Sequence, residues 1–148
     1  MANATITTKD ISELRARTGA GIGDCKAALQ ETGGDMEKAA ELLRKKGIAK
    51  AEKRAGRVAS QGLVVLELAQ DGRSGAMIEL NCETDFVARN DEFQALAASI
   101  AKHVAQHAPE GVGTGEDIES QPFQGDASRT VGQVVKEASG KTGEAVAL

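Results

Sequence analysis

The sequence predicts an α+β fold, with an N-terminal three-helix module followed by a small antiparallel sheet packed against helices. Three observations predict it. Before residue 47, apolar residues recur at helical spacing in three short segments, each bounded by glycine or a capping side chain. After Gly62 the period changes to two, in apolar runs at 63–68 and 77–82. A longer stripe at helical spacing then starts at Phe93.

In the first segment Thr8 or Asp10 caps a helix carrying Ile11 and Leu14, which ends near the turn Thr18 to Gly21. The second helix presents Ile22, Cys25, Ala28 and Leu29 on one side and stops at Thr32-Gly33-Gly34. Asp35 caps the third, which carries Met36, Ala39, Ala40, Leu42 and Leu43 and is expected to end at Gly47. Helices this short are not stable alone, so the three must share a core. From Arg44 to Arg57 seven basic residues stand against Glu52 alone, a net +6 that leaves −10 on the rest of the chain. The expected form of this stretch is a helical linker.

Val64, Leu66 and Leu68 alternate, as do Ile78, Leu80 and Cys82; joined by residues 70–74, they read as an antiparallel hairpin with one buried face. Asn90 or Asp91 opens a helix with Phe93, Leu96, Ile100 and Val104 on one stripe, and Pro109 with the Gly-rich run after it begins a loop. A further helix, from about Thr130 to Ser139, precedes an apolar end, Ala145 to Leu148, where a third strand starts. The expected units are therefore 1–47, the helical module; 48–61, the basic linker; and 62–148, an α+β core subdomain cut off at its C-terminal end.

Composition excludes several classes. The hydrophobic share of 41% comes mainly from aliphatic residues, with three Phe and no Trp or Tyr. No apolar run has the length of a membrane span, and the N-terminus lacks the core of a signal peptide, so the chain reads as soluble and cytoplasmic. A net charge of −4 gives no overall pull toward nucleic acid or anionic lipid. Cys25 and Cys82, far apart and in no C-x-x-C pair, read as small buried hydrophobes. Gly140-Lys141-Thr142 imitates the end of a P-loop, but Val135 stands where the first glycine belongs. Gly19-Ala20-Gly21 lacks the third glycine of a dinucleotide fingerprint, at Asp24, and no strand leads into it. His103 and His107 have chelating spacing but no evident third ligand, and read as one solvated and one frayed-end histidine. No arrangement suited to covalent catalysis stands out, and no cofactor or metal is expected.

The residue that composition leaves conspicuous is Phe86, in the charged segment N-C-E-T-D-F-V-A-R-N-D, Asn81 to Asp91. A continuous helix would put Phe86 and Phe93, seven apart, on one buried face. Alternatively Arg89-Asn90-Asp91 interrupts the helix and leaves Thr84 to Val87 as a protruding turn. Pattern alone leaves both open.

Two segments together resemble one family. T-G-A-G-I-G-D-C-K-A-A-L, Thr18 to Leu29, with the G-G-D-M-E-K-A that follows, resembles the N-terminal module of bacterial translation elongation factor Ts. I-E-L-N-C-E-T-D-F-V-A-R-N-D-E-F, Ile78 to Phe93, resembles that family's T-D-F-V signature with its flanking strand and helix. The resemblance covers essentially the whole chain and is weakest from Pro109 to Arg129. It implies a three-helix module of ubiquitin-associated type and the first of two related core subdomains. It also implies a guanine-nucleotide exchange factor that binds elongation factor Tu in GDP-bound and nucleotide-free forms, without covalent chemistry and without binding nucleotide itself.

Carried over, Phe86 is an apolar wedge against the GTPase domain, Asp85 a polar rim contact, Thr84 the brace of the turn, and Val87 its inward-packed backing. Arg15 and Ile22 match a second contact on the GTPase domain. The family usually has Met-Met where this chain has Ile22-Gly23, so the contact is expected to be thinner at Gly23. Two other readings remain: a protein-binding module that uses the three helices, and an RNA- or ribosome-associated protein that uses the basic linker. The linker has no interleaved aromatics for stacking, so RNA binding through it would be electrostatic and salt-sensitive.

Overall fold

Thr7, one residue before the expected caps, starts the first helix. Its hydroxyl accepts the Asp10 N–H (3.2 Å) while the Asp10 carboxylate accepts the Thr7 N–H (2.8 Å). Two orphan donors of the helix end are thereby satisfied reciprocally. The computed structural model describes residues 6–70, 72–107 and 115–148. The first three helices are α1 (Thr8–Thr18), α2 (Ile22–Glu31) and α3 (Met36–Glu52). Gly19, at φ +69°, ends α1, and Asp35 caps α3 by accepting the Lys38 N–H. Leu14, Cys25, Ala28, Leu29, Ala39 and Leu43 meet in one core.

The third helix does not end at Gly47. It runs on to Glu52, so the first half of the basic stretch continues α3. The physical reason lies in the later helix α7 (Val131–Thr142), which crosses α3 there. A Cβ placed on Gly140 would lie 2.9 Å from the Gly47 Cα and 3.1 Å from its carbonyl oxygen. Gly47 is thus a point of close backbone approach inside a helix. The basic residues also find partners: Arg44 on Glu41 and Glu137, Lys46 on Glu31, Lys50 on Asp24 and Arg57 on Glu83. Arg129 closes the network by bridging Glu137 (2.7 Å) and Asp126 (2.9 Å). The paired Arg44 guanidinium draws the Glu41 carboxyl down to about 2.

Strands β1 (Gln61–Leu68) and β2 (Gly75–Cys82) form the expected antiparallel hairpin, and β5 (Val146–Ala147) adds a third strand along β2, at Asn81↔Ala147 and Cys82↔Val146. The face of β1 is the reverse of the expected one. Leu63 pairs Leu80 and Val65 pairs Ile78, and these point into the core, whereas Val64, Leu66 and Leu68 lie on the open face with Met77. Every residue from Leu63 to Leu66 is apolar, so alternation within β1 alone cannot choose a face. Register against β2 does.

Between the strands and α7 lie α4 (Asp85–Ala88), α5 (Asp91–His107), α6 (Gly115–Glu119) and a short hairpin of β3 (Pro122–Phe123) and β4 (Asp126–Thr130). That hairpin occupies part of the expected loop; the expected helix end at Pro109 falls outside the described residues. Phe93, Ala97, Ile100 and Ala101 of α5 pack against the sheet, in one core that also takes in Val131 and Val135 of α7. His103, expected in solvent, is 1% exposed. Its Nδ1 accepts the Gln124 N–H (3.3 Å), which leaves Nε2–H to donate to Gln121 Oε1 (3.0 Å). Among the described residues no helix is long and apolar enough to cross a membrane.

Candidate partner-binding site

The site grows out of the end of β2. The strand ladder stops at Cys82, and Thr84 leaves it with extended backbone, its hydroxyl accepting the Val87 N–H (3.4 Å). That cap starts a single helical turn, α4, which closes with the Arg89 N–H on Asp85 O. Asn90 then breaks the helix, and its side chain accepts the N–H groups of Glu92 (2.8 Å) and Phe93 (3.4 Å) to start α5 afresh. The interruption places the two aromatic residues in separate helices.

Successive residues of one helical turn point to different sides. Ala88 is buried and Val87 packs against the core, while Asp85 and Phe86 face outward. Phe86 is 83% exposed. A phenyl ring left in water forgoes about 1.5–3 kcal/mol that burial would supply. That energy is available to a partner that covers the ring. Asp85 sits beside it in a surface pair with Arg89 (3.2 Å), and such exposed pairs contribute at most about 1 kcal/mol.

Phe86 and Val87 form one wall of a cleft of about 690 Å³ that runs past Phe93 and Leu96 to Lys141 and reaches Gly19. The cleft therefore joins the protruding turn to the turn that ends α1. Arg15 and Ile22 flank that second turn on the surface, Ile22 at 59% exposure, but neither lines the cleft.

Sequence reasoning missed two glutamates that fix the site. Glu144, just after the left-handed Gly143 that caps α7, accepts the N–H groups of Glu83 (3.1 Å) and Thr84 (3.0 Å) and the Thr84 hydroxyl (2.6 Å). Glu83 in turn accepts the Ala145 N–H (2.7 Å) and an Arg57 N–H (3.3 Å). The Ala145 N–H, with Arg57 behind it, holds the Glu83 carboxyl below its ordinary value against the opposing effect of burial. A helix-capping glycine ahead of a glutamate is legible in sequence; that this carboxylate reaches residue 84 is not.

Burial, and then the Glu144 carboxylate, pushes the Cys82 thiol up, so it stays protonated, with its Sγ 3.2 Å from Thr84 O. Cys25 is likewise buried and free. Among the described residues, no group of three His, Cys, Asp or Glu side chains is placed to hold a metal ion. What the arrangement offers is an exposed aromatic ring on a hydrogen-bonded turn, with the charged pair Asp85 and Arg89 beside it.

Residues 83–148 match the family model described as Elongation factor TS. A protein named elongation factor Ts from Aquifex aeolicus (strain VF5) is 49% identical over 145 residues, 97% of this chain and 50% of the relative. Proteins of the same name from Trichlorobacter lovleyi and Clostridium perfringens (strain SM101 / Type A) are 49% and 50% identical, each over 94% of this chain and 44% of the relative. The chain spans about half the length of the curated relatives it matches.

Proposed function

Because the chain belongs to the elongation factor Ts family, we propose that it is a guanine-nucleotide exchange factor that binds elongation factor Tu and promotes GDP release during cytoplasmic protein synthesis. The observation that carries this reading is Phe86, 83% exposed on a clamped single turn whose neighbours Val87 and Ala88 are anchored in the core. An apolar ring held out in this way is built to enter another protein.

The mechanism is differential binding and involves no covalent step. A partner cycles between nucleotide-bound and nucleotide-free forms, and a factor that binds the free form more tightly weakens nucleotide binding by the same factor. Phe86 supplies the apolar wedge, Asp85 the polar contact at its rim, and Thr84 and Val87 the support from cap and core. The surface pair Arg15 and Ile22 supplies a second contact beyond the far end of the cleft. Gly23, without a side chain, adds nothing to it.

The test is release of fluorescent GDP from elongation factor Tu with this 148-residue chain and with its Phe86→Ala variant. The expected result is acceleration by the intact chain, most of it lost on truncating the ring. A folded chain that neither binds nucleotide-free elongation factor Tu nor alters GDP release overturns the reading.

A further inference from the structure

The turn that carries Phe86 is held from outside its own segment. Pairing of β2 with β5 ends at Cys82↔Val146, so the next two amides, Glu83 and Thr84, have no strand to donate to. Glu144 takes them over: one carboxylate oxygen accepts both N–H groups and the other accepts the Thr84 hydroxyl. The Glu83 carboxylate reciprocates on the Ala145 N–H. Each glutamate thus satisfies the backbone of the other's segment, across 60 to 62 residues of chain.

The holder is itself fixed. Gly143, at φ +77°, turns the chain out of α7. The buried Ser139 hydroxyl then donates to Glu144 O (2.5 Å), and Thr142 Oγ1 accepts the Glu144 N–H (3.3 Å). With its backbone set by the last turn of α7, the side chain presents an ionised acceptor to Thr84, and bonds to ionised acceptors are roughly twice as strong as neutral ones.

We propose that Glu144 is the positioning residue of the exchange turn. It does not face the partner; it acts through Thr84, whose backbone and hydroxyl it fixes, and so presents Phe86 already ordered. Without it, partner binding must also order the turn, which weakens association. The proposal rests on the reading of Thr84 to Val87 as the partner-engaging turn.

The experiment compares Glu144→Ala, Glu144→Asp and Glu144→Gln in the full 148-residue chain, with Phe86→Ala alongside. In amide hydrogen exchange, Glu144→Ala is expected to speed exchange at Glu83 and Thr84 by about tenfold or more, with the α5 amides unchanged. Affinity for nucleotide-free elongation factor Tu is expected to fall about tenfold with it. Glu144→Asp, too short to reach, behaves alike and carries the comparison if the alanine variant does not fold. Glu144→Gln, which keeps an acceptor oxygen at full reach, recovers part of both. Unchanged protection at Glu83 and Thr84 in the alanine and aspartate variants, or a glutamine variant no better than alanine, overturns the assignment. If Phe86→Ala leaves partner binding intact, the exchange reading falls instead, while the amide measurement still decides whether Glu144 orders the turn.

Discussion

Phe86 and Phe93 stand seven residues apart and face opposite media: Phe86 is 83% exposed and Phe93 2%. A continuous helix would put them on the same side. The break at Arg89 and Asn90, where one helical turn closes and the Asn90 side chain caps the next helix, separates them. The two truncations should therefore have opposite consequences. Phe93→Ala is expected to cost about 3–5 kcal/mol of stability. Phe86→Ala should change stability by no more than about 0.5 kcal/mol. It should instead weaken binding to elongation factor Tu by about 2 kcal/mol, roughly thirtyfold. Urea unfolding and a binding titration on both variants separate the two effects, and a strongly destabilised Phe86→Ala would return that ring to the core.

The crossing of α3 and α7 makes an asymmetric prediction about two glycines. A methyl group on Gly140 meets the Gly47 backbone at 2.9–3.1 Å, and neither helix can yield without moving the other. Gly140→Ala is expected to cost about 1–3 kcal/mol, as overpacking does. A methyl group on Gly47 finds its nearest neighbour, the Gly140 Cα, at 3.7 Å, an ordinary contact. Since glycine inside a helix costs up to about 1 kcal/mol relative to alanine, Gly47→Ala should be neutral or stabilising by up to that amount. Denaturation midpoints of the two variants check the order, and a Gly140→Ala variant as stable as Gly47→Ala contradicts it.

Glu83 gives the clasp an acid limit. The Ala145 N–H and Arg57 hold its carboxyl below the ordinary 4.5. A carboxyl lowered on folding binds protons more readily in the unfolded chain, so its contribution to stability is complete above the ordinary value and is lost as pH falls through the lowered one. Glu83→Gln should therefore be less stable than the parent chain at about pH 7, and the gap should shrink as pH falls below about 4. Urea unfolding of both proteins across that range tests this; a gap that stays constant into strong acid would assign the effect to side-chain shape rather than charge.

Much of this architecture is written locally. Thr7, Asp35, Thr84, Asn90 and Thr130 each start a helix with their own side chain, and Gly19 and Gly143 each end one in a conformation that glycine adopts without strain. These signals act within four residues, so the sequence by itself determined where most of the longer helices start and that β1 and β2 form a hairpin, while it left open whether a helix runs unbroken from Phe86 to Phe93.

Only the tertiary structure decided what depends on residues far apart. Leu63 to Leu66 are all apolar, and pairing with Ile78 and Leu80 selected which of them face the core. Gly47, a plausible stop signal, became a helix interior because Gly140 lets α7 approach its backbone. Glu144 became the holder of the Phe86 turn because α7 and β5 bring it to two amides that the strand ladder leaves unpaired. The physical reason is common to all three. A cap or a turn is satisfied by its own neighbours, whereas a face, a close approach or a long-range carboxylate acquires its meaning only when another segment arrives against it.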